Sequence, residues 1–448
     1  MKNRFNIFLI VILCTFSFSS MAQKEPYEMN VEGVKVIVHP ANNQLITVIT
    51  VIKGGVQNYP AEKQGIESMA IRALTECGTV NDDKNSFKNK LDKVSGQVFG
   101  NADMDYAAFR MNCVLSDFNV VWPLYSDALT APRFDENEFA RIRKDAVNII
   151  RDSESDPQNA ISKYSKKVAF RGKSYAKDPD GTEDIVSKLT VGEVKNYYKT
   201  ILNRGKLLIV VVGDMDRVAL EARLSEMLKK IPAGTPYNLK KEAYTPAKAS
   251  FSSTKKDLAT NYIQGVTGAP LPGTPDYNAY QLAMNIFSNK YFLEVRSKNG
   301  LSYAPYAYFA GGTTSTSNIV VSTTEPDKYI NVLNSLVTKI KKEGFTSEEV
   351  KNEKAGYVTG VYYRQETNDA QATSLVNNEV LHGNWKRSLT IKEDINKVTP
   401  EQVNAAFNKY LTNINWVYMG NPAKVTPALY APTAKPLPAS TVKPAKKN

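Results

Sequence analysis

The chain has 448 residues, 42% hydrophobic and 23% charged, the proportions of a folded globular protein; two or three domains are expected at this length. A disordered, collagen-like or multi-span membrane chain is excluded. Of the net charge of +12, Lys2 and Arg4 lie in the first residues and five lysines (Lys424, Lys435, Lys443, Lys446, Lys447) lie near the C-terminus; the remaining excess is modest and dispersed, which speaks against nucleic acid as a partner, and two distant histidines (His39, His382) with three cysteines exclude clustered imidazoles or thiolates.

Residues 1–22 place Lys2 and Arg4 before an apolar run from Ile7 to Phe18 and end in Ser20-Met21-Ala22, the pattern of an export signal cleaved after Ala22. A secreted, periplasmic protein is expected, with no integral membrane segment once the signal is removed. The mature chain keeps Cys77 and Cys113, expected as buried apolar residues with one disulfide possible. A strand from Leu45 to Lys53 and a Gly54-Gly55 turn lead to Gly65, which opens a helix. Ile66, Met69, Ala70, Ala73, Leu74 and Cys77 form its buried stripe, while Ser68, Ile71, Arg72 and Thr75 share the opposite, presented side.

Phe134-Asp135-Glu136 opens a charged helix that runs toward Asp156-Pro157, with Glu154 read as a solvated helix-end charge. After Glu183-Asp184-Ile185 and Leu189-Thr190 comes a helical pattern (Val194, Tyr197, Tyr198, Ile201), then a β-run from Leu207 to Gly213. Asp214 and Asp216 beyond it read as a strand-end turn. This series recurs near an offset of 210: Phe345-Thr346-Ser347-Glu348 opens a helix, Glu393-Asp394-Ile395 precedes Val398-Thr399, a helical pattern follows (Val403, Phe407, Tyr410, Leu411), and a β-run spans Ile414 to Gly420.

A tandem duplication is therefore expected, in the α+β class, each half packing helices on a mainly antiparallel sheet. The halves are placed at 23–232 and 257–421, joined by a Pro/Gly/Lys/Ser-rich linker at 233–256 and followed by a disordered Pro/Lys-rich tail at 422–448.

The run Gly54-Gly55-Val56 through Lys63-Gln64-Gly65-Ile66-Glu67-Ser68-Met69-Ala70-Ile71-Arg72 to Gly78-Thr79 resembles the opening of the pitrilysin, insulinase and mitochondrial processing peptidase family of zinc peptidases, whose inverted zinc motif H-x-x-E-H lies on this helix. The resemblance extends over nearly the whole mature chain, through Asp178-Pro179-Asp180-Gly181-Thr182 and Val211-Val212-Gly213-Asp214. It implies the family's two-domain peptidase fold. In that register Ser68 and Arg72 replace the two His ligands, Ile71 replaces the catalytic Glu, and Ile149 replaces the third ligand. A guanidinium repels a dication and has no lone pair, so no metal and no cofactor are expected in this chain, and it is not expected to be an enzyme on its own.

In the second half, Phe292-Leu293-Glu294-Val295-Arg296-Ser297-Lys298-Asn299-Gly300-Leu301-Ser302-Tyr303 resembles the family's Arg/Tyr signature. In two-chain members this pair reaches across a heterodimer to hold substrate beside the zinc of the other chain. The resemblance thus implies a non-catalytic, substrate-binding subunit of a heteromeric zinc peptidase. Arg296 and Tyr303 would serve a partner chain that carries H-x-x-E-H, and unfolded peptides would be the substrates. The alternative is a peptide-binding or structural module of the same fold without a catalytic role. From the residues alone, Arg296 complements a helix dipole, Gly300 caps the helix, and Tyr303 begins a strand.

Overall fold

A computed structural model describes residues 25–431. Its eleven strands form two sheets: β1 (Tyr27–Val31), β2 (Val34–His39), β3 (Leu45–Lys53), β4 (Gln97–Ala102), β5 (Tyr106–Val114) and β6 (Leu207–Val212) in the first half, then β7 (Ser250–Lys255), β8 (Asn261–Gly268), β9 (Tyr306–Ala310), β10 (Thr316–Thr323) and β11 (Asn415–Gly420) in the second. The orders β1-β2-β6-β3-β5-β4 and β7-β11-β8-β10-β9 are the same topology, apart from the extra edge strand β1. Each sheet is antiparallel except for one parallel pair, β2 with β6 and β7 with β11. The chain is thus an α+β protein of two tandem, alike halves.

Eight helices place the functional residues: α1 (Ile66–Glu76), α2 (Glu136–Ser155), α3 (Pro157–Ala169), α4 (Val191–Ile201), α5 (Tyr277–Phe292), α6 (Ser347–Tyr363), α7 (Asn368–Asn377) and α8 (Pro400–Tyr410). The recurring Thr of the duplicated segments has a structural cause. Thr190, Thr346 and Thr399 are N-caps closed by Glu193, Glu349 and Gln402 in reciprocal capping boxes, while Asp135 caps α2 through the backbone of Asn137 and Glu138.

β6 reads Leu-Leu-Ile-Val-Val-Val and is buried throughout, which requires cover on both faces of its sheet. One face packs on the first half's own helices. The other is covered by α7 of the second half, whose Ala372, Leu375 and Val376 meet Ile49, Val51, Leu208 and Val210. The exchange is reciprocal: α3 of the first half sets Ile161 against Val417 and Met419 of β11. Each half therefore lends the helix after its long helix (α2 or α6) to the sheet of the other.

Polar groups fix the α7 contact. Arg110 of β5 donates to Asp369 at 3.1 Å and Thr373 at 3.0 Å, Tyr106 donates to Asn377 at 2.7 Å, and the Trp385 indole donates to Glu28 at 2.6 Å. Buried Asn368 donates to the Leu45 carbonyl at 2.7 Å and accepts from Asn43 at 2.8 Å. Asn368→Ala would strand these partners, and a loss of about 2 kcal/mol is expected. Urea unfolding should show a lower midpoint at unchanged slope; an unmoved midpoint would remove Asn368 as a tie between the halves.

Two boundaries differ from the sequence reading. The connection expected at 233–256 ends in β7, whose Ser-Phe-Ser-Ser-Thr-Lys lacks apolar alternation because it is an edge strand with little to bury. The rest of the connection is docked, through Glu242 N–H to the Thr313 carbonyl at 2.8 Å and through buried Tyr244 against Phe170. The tail placed from 422 is ordered through Ala431: Tyr430 is buried, packs on Trp416 and Phe251, and donates to the Pro326 carbonyl at 2.7 Å. The remaining tail and the export signal at 1–22 lie outside the described residues. Cys77 and Cys113 are buried, unbridged thiols.

Candidate functional site

α1 begins at Gly65 with φ 90°, where a Cβ would stand 2.7 Å from Val186 Cγ2 and 2.8 Å from the Asp180 carbonyl; only glycine permits that approach. The loop so held also engages the next turn, since the Ser68 hydroxyl donates to Asp180 Oδ1 at 3.3 Å. Arg72, one turn on, lies 3.8 Å from Asp145 of α2. Ile149 is one turn beyond Asp145 on the same face of α2 and is 58% exposed.

Ile71 corrects the sequence reading: it is fully buried, as is Thr75 nearly so, although both were expected on the presented side. The cause is β4, which crosses α1 so closely at Gly100 that a Cβ there would lie 2.4 Å from Ile71 Cγ2. Ser68 and Arg72 stay half exposed. Ser68, Arg72 and Ile149 thus share one neighbourhood, with Ile71 sealed beneath it.

These residues do not fit a zinc ion. Two are alkyl side chains without a donor atom, one is a fixed cation, and the single hydroxyl is engaged with Asp180. Among the described residues, no three His, Cys, Asp or Glu side chains group as a metal-binding cluster. Glu154 lies 3.9 Å from Lys163, and Asp216 caps a helix through Ala219 N–H at 2.8 Å.

The residue that sequence reasoning missed is Glu67. Its carboxylate is buried, accepts from Asn58 at 2.9 Å and from the Tyr197 hydroxyl, and leaves Oε1 without a partner. Burial pushes its carboxyl up to about 7, against the hydrogen bonds from Tyr197 and Asn58 and the nearby charge of Lys206. Lys206 in turn sits 4.0 Å over the ring of Tyr237 and donates to Asn58. A signal was present: residues 67, 70, 71 and 74 share a helix face, so a Glu there must enter the core.

In the second half, α5 runs on into a π-helical turn, Leu293–Lys298, which carries Arg296. Buried Val295 and Leu301 anchor the turn, and Gly300 closes it at φ 61°. The Arg296 guanidinium lies 4.1 Å over the ring of Tyr303 and 5.1 Å from that of Phe292. Tyr303 is 79% exposed and stands in the connection before β9; the strand starts at Tyr306, three residues later than expected. The arrangement offers a cation and a phenol as hydrogen-bond donors on a prepared surface.

Residues 188–357, which include Arg296 and Tyr303, match the family described as "Peptidase M16 inactive domain". Over that stretch the chain is similar to the inactive domain of M16 peptidases. Among its relatives, an uncharacterized zinc protease of Rickettsia felis is 22% identical over 82% of this chain and 90% of its own. The non-peptidase homolog YmxG of Helicobacter pylori is 23% identical over 64% of this chain and 68% of its own. Of solved structures, a peptidase M16 inactive domain from Pseudomonas fluorescens superposes with a TM-score of 0.81 at 20% identity, over 90% of this chain and 99% of that one. The periplasmic protease PqqL of Escherichia coli gives 0.75 at 12% identity, over 94% of this chain and 49% of its own. The scaffold of these structures is shared, and the positions expected to hold zinc donors carry Ser68, Ile71, Arg72 and Ile149.

Proposed function

We propose that this chain is the substrate-binding subunit of a heteromeric M16-type peptidase and supplies Arg296 and Tyr303 to a partner chain that carries H-x-x-E-H and the zinc. The observation that carries the reading is the Arg296–Tyr303 stack, 4.1 Å apart and open to solvent, in a chain whose own zinc positions hold Ser68, Ile71, Arg72 and Ile149. Both groups donate hydrogen bonds. They suit the carbonyl oxygen of a peptide, which gains negative charge as it is attacked at the partner's centre. Extended, unfolded peptides are the substrates. The work takes place outside the cytoplasm: residues 1–22 have the form of an export signal, and PqqL, which shares the fold, is a periplasmic protease.

The test is to produce the mature chain alone, a zinc-bearing homologue alone and the two together, and to assay cleavage of quenched fluorescent peptides. The mixture is expected to exceed the zinc-bearing chain alone many-fold. Equal activity with and without this chain would reject the subunit role and favour a peptide-binding module without a catalytic part.

A further inference from the structure

A large concavity of the described residues lies away from the zinc positions. It is a trough of about 1220 Å³ lined by residues of α3, of the loop Arg171–Asp178, by Gln64 and Thr182, and by Thr254 and Lys256 of the second half. Seven of its lining side chains are cations and two are carboxylates, a surplus of five positive charges. Three cations are engaged: Lys163 with Asp178 at 3.3 Å and Glu154 at 3.9 Å, Lys173 with Glu242 at 2.5 Å, and Lys177 with the Tyr59 carbonyl at 2.5 Å. The other four, Lys166, Lys167, Arg171 and Lys256, have no carboxylate partner among the described residues. Four unpaired cations gathered in one concavity make a positive field there, and an anionic occupant would be attracted to it.

We infer that this trough binds an acidic, extended peptide segment. The inference rests on the peptide-binding reading above and adds the charge of the peptide. Three features favour a peptide over other anions. Between the cations the wall is apolar, with Tyr164, Val168 and Ala176, which suits side-chain methylenes better than bare phosphate. The volume exceeds the roughly 300–1,000 Å³ typical of small-molecule sites, so a stretch of polymer fits better than a metabolite. Thr254 of the lining belongs to β7, which pairs with β11 alone and leaves its outer edge without a strand partner, available to an extended backbone. A bilayer surface cannot enter a recess set between helix, loop and strand.

The experiment is fluorescence anisotropy on the mature chain without a partner, using labelled ten-residue peptides rich in Glu, in Lys or in Ser and Gly. The Glu-rich peptide is expected to bind, at least ten-fold tighter than the other two, and to weaken as salt is raised. Lys166→Glu with Arg171→Glu, and separately Lys256→Glu from the second half, should each reduce its affinity ten-fold or more, while Lys229→Glu, at an exposed cation outside the trough, leaves it unchanged. Equal binding of the three peptides, an unaffected double variant, or equal competition by inorganic polyphosphate or by vesicles containing phosphatidylglycerol would overturn the inference. If the Glu-rich peptide fails to bind but the mixture still loses activity with Arg296→Ala, the trough is refuted and the donor role stands. The opposite pair of results separates them the other way.

Discussion

Arg296→Ala is expected to lower the kcat/KM of the mixed peptidase about a hundred-fold, the scale on which loss of one preorganised donor to a developing oxyanion acts. Tyr303→Phe should cost less, about ten-fold, because it removes the hydroxyl and keeps the ring on which the guanidinium rests. The geometry predicts that neither change disturbs the fold. The turn is fixed by buried Val295 and Leu301 and by Gly300, whereas the rings touching Arg296 belong to Phe292 and exposed Tyr303. Assembly with the partner, followed by size-exclusion chromatography, should therefore survive both substitutions. A fall confined to kcat would place the donors on the transition state; a rise confined to KM would place them on bound substrate. Unchanged turnover in both variants would remove the pair from function.

A second large effect is expected in the dependence of stability on pH. Glu67 has an ordinary carboxyl value near 4.5 and is held at about 7 in the folded chain. The unfolded chain therefore releases this proton near 4.5 and the folded chain keeps it until about 7, so between these values the folded state binds more protons. Stability from this group is full below pH 4.5 and falls as pH rises to 7, by about 3 kcal/mol in all. This is the reverse of the familiar salt-bridged carboxylate, because burial outweighs the hydrogen bonds from Tyr197 and Asn58. Glu67→Gln removes the titration and should flatten that part of the profile. Unfolding in urea at pH 5 and pH 8, compared between the two proteins, isolates Glu67 from every other titrating group. An equal fall in both would show that Glu67 is ionised in the folded chain or is not buried.

The sequence made some of this visible for reasons that are themselves physical. The apolar run Leu207–Val212 reads as a strand, and the repeated apolar spacing after Thr190 and Thr399 reads as helices, because each period matches the element that forms. What covers the second face was not visible. The packing of α7 on the first sheet joins residues more than 150 positions apart, and no local periodicity encodes which half supplies the helix. β7 was hidden because an edge strand with one packed aromatic, Phe251, has the composition of a linker. Tyr430 was hidden in the same way, a single anchor within a stretch dominated by Pro, Ala and Lys.

At the site itself, the four replaced zinc positions were readable only because a family register could be laid on the sequence. Helical spacing put Ile71 beside Ser68 and Arg72, but spacing says nothing of how closely a neighbouring strand approaches. Gly100 allows β4 to lie directly on Ile71, which turns an expected open position into core. Glu67 was readable from its helix face and overlooked because a carboxylate in the first turn of a helix ordinarily complements the dipole in solvent.

The claim beneath the whole account is that this scaffold has no reactive centre of its own. The direct measurement is the zinc content and peptide-cleaving activity of the purified mature chain, free of partners, after incubation with excess zinc and removal of unbound metal. The account predicts well under about a tenth of a zinc per chain, the consequence of a donor set that cannot complete a tetrahedral site, and no cleavage that a chelator abolishes. One zinc per chain with chelator-sensitive cleavage would contradict it.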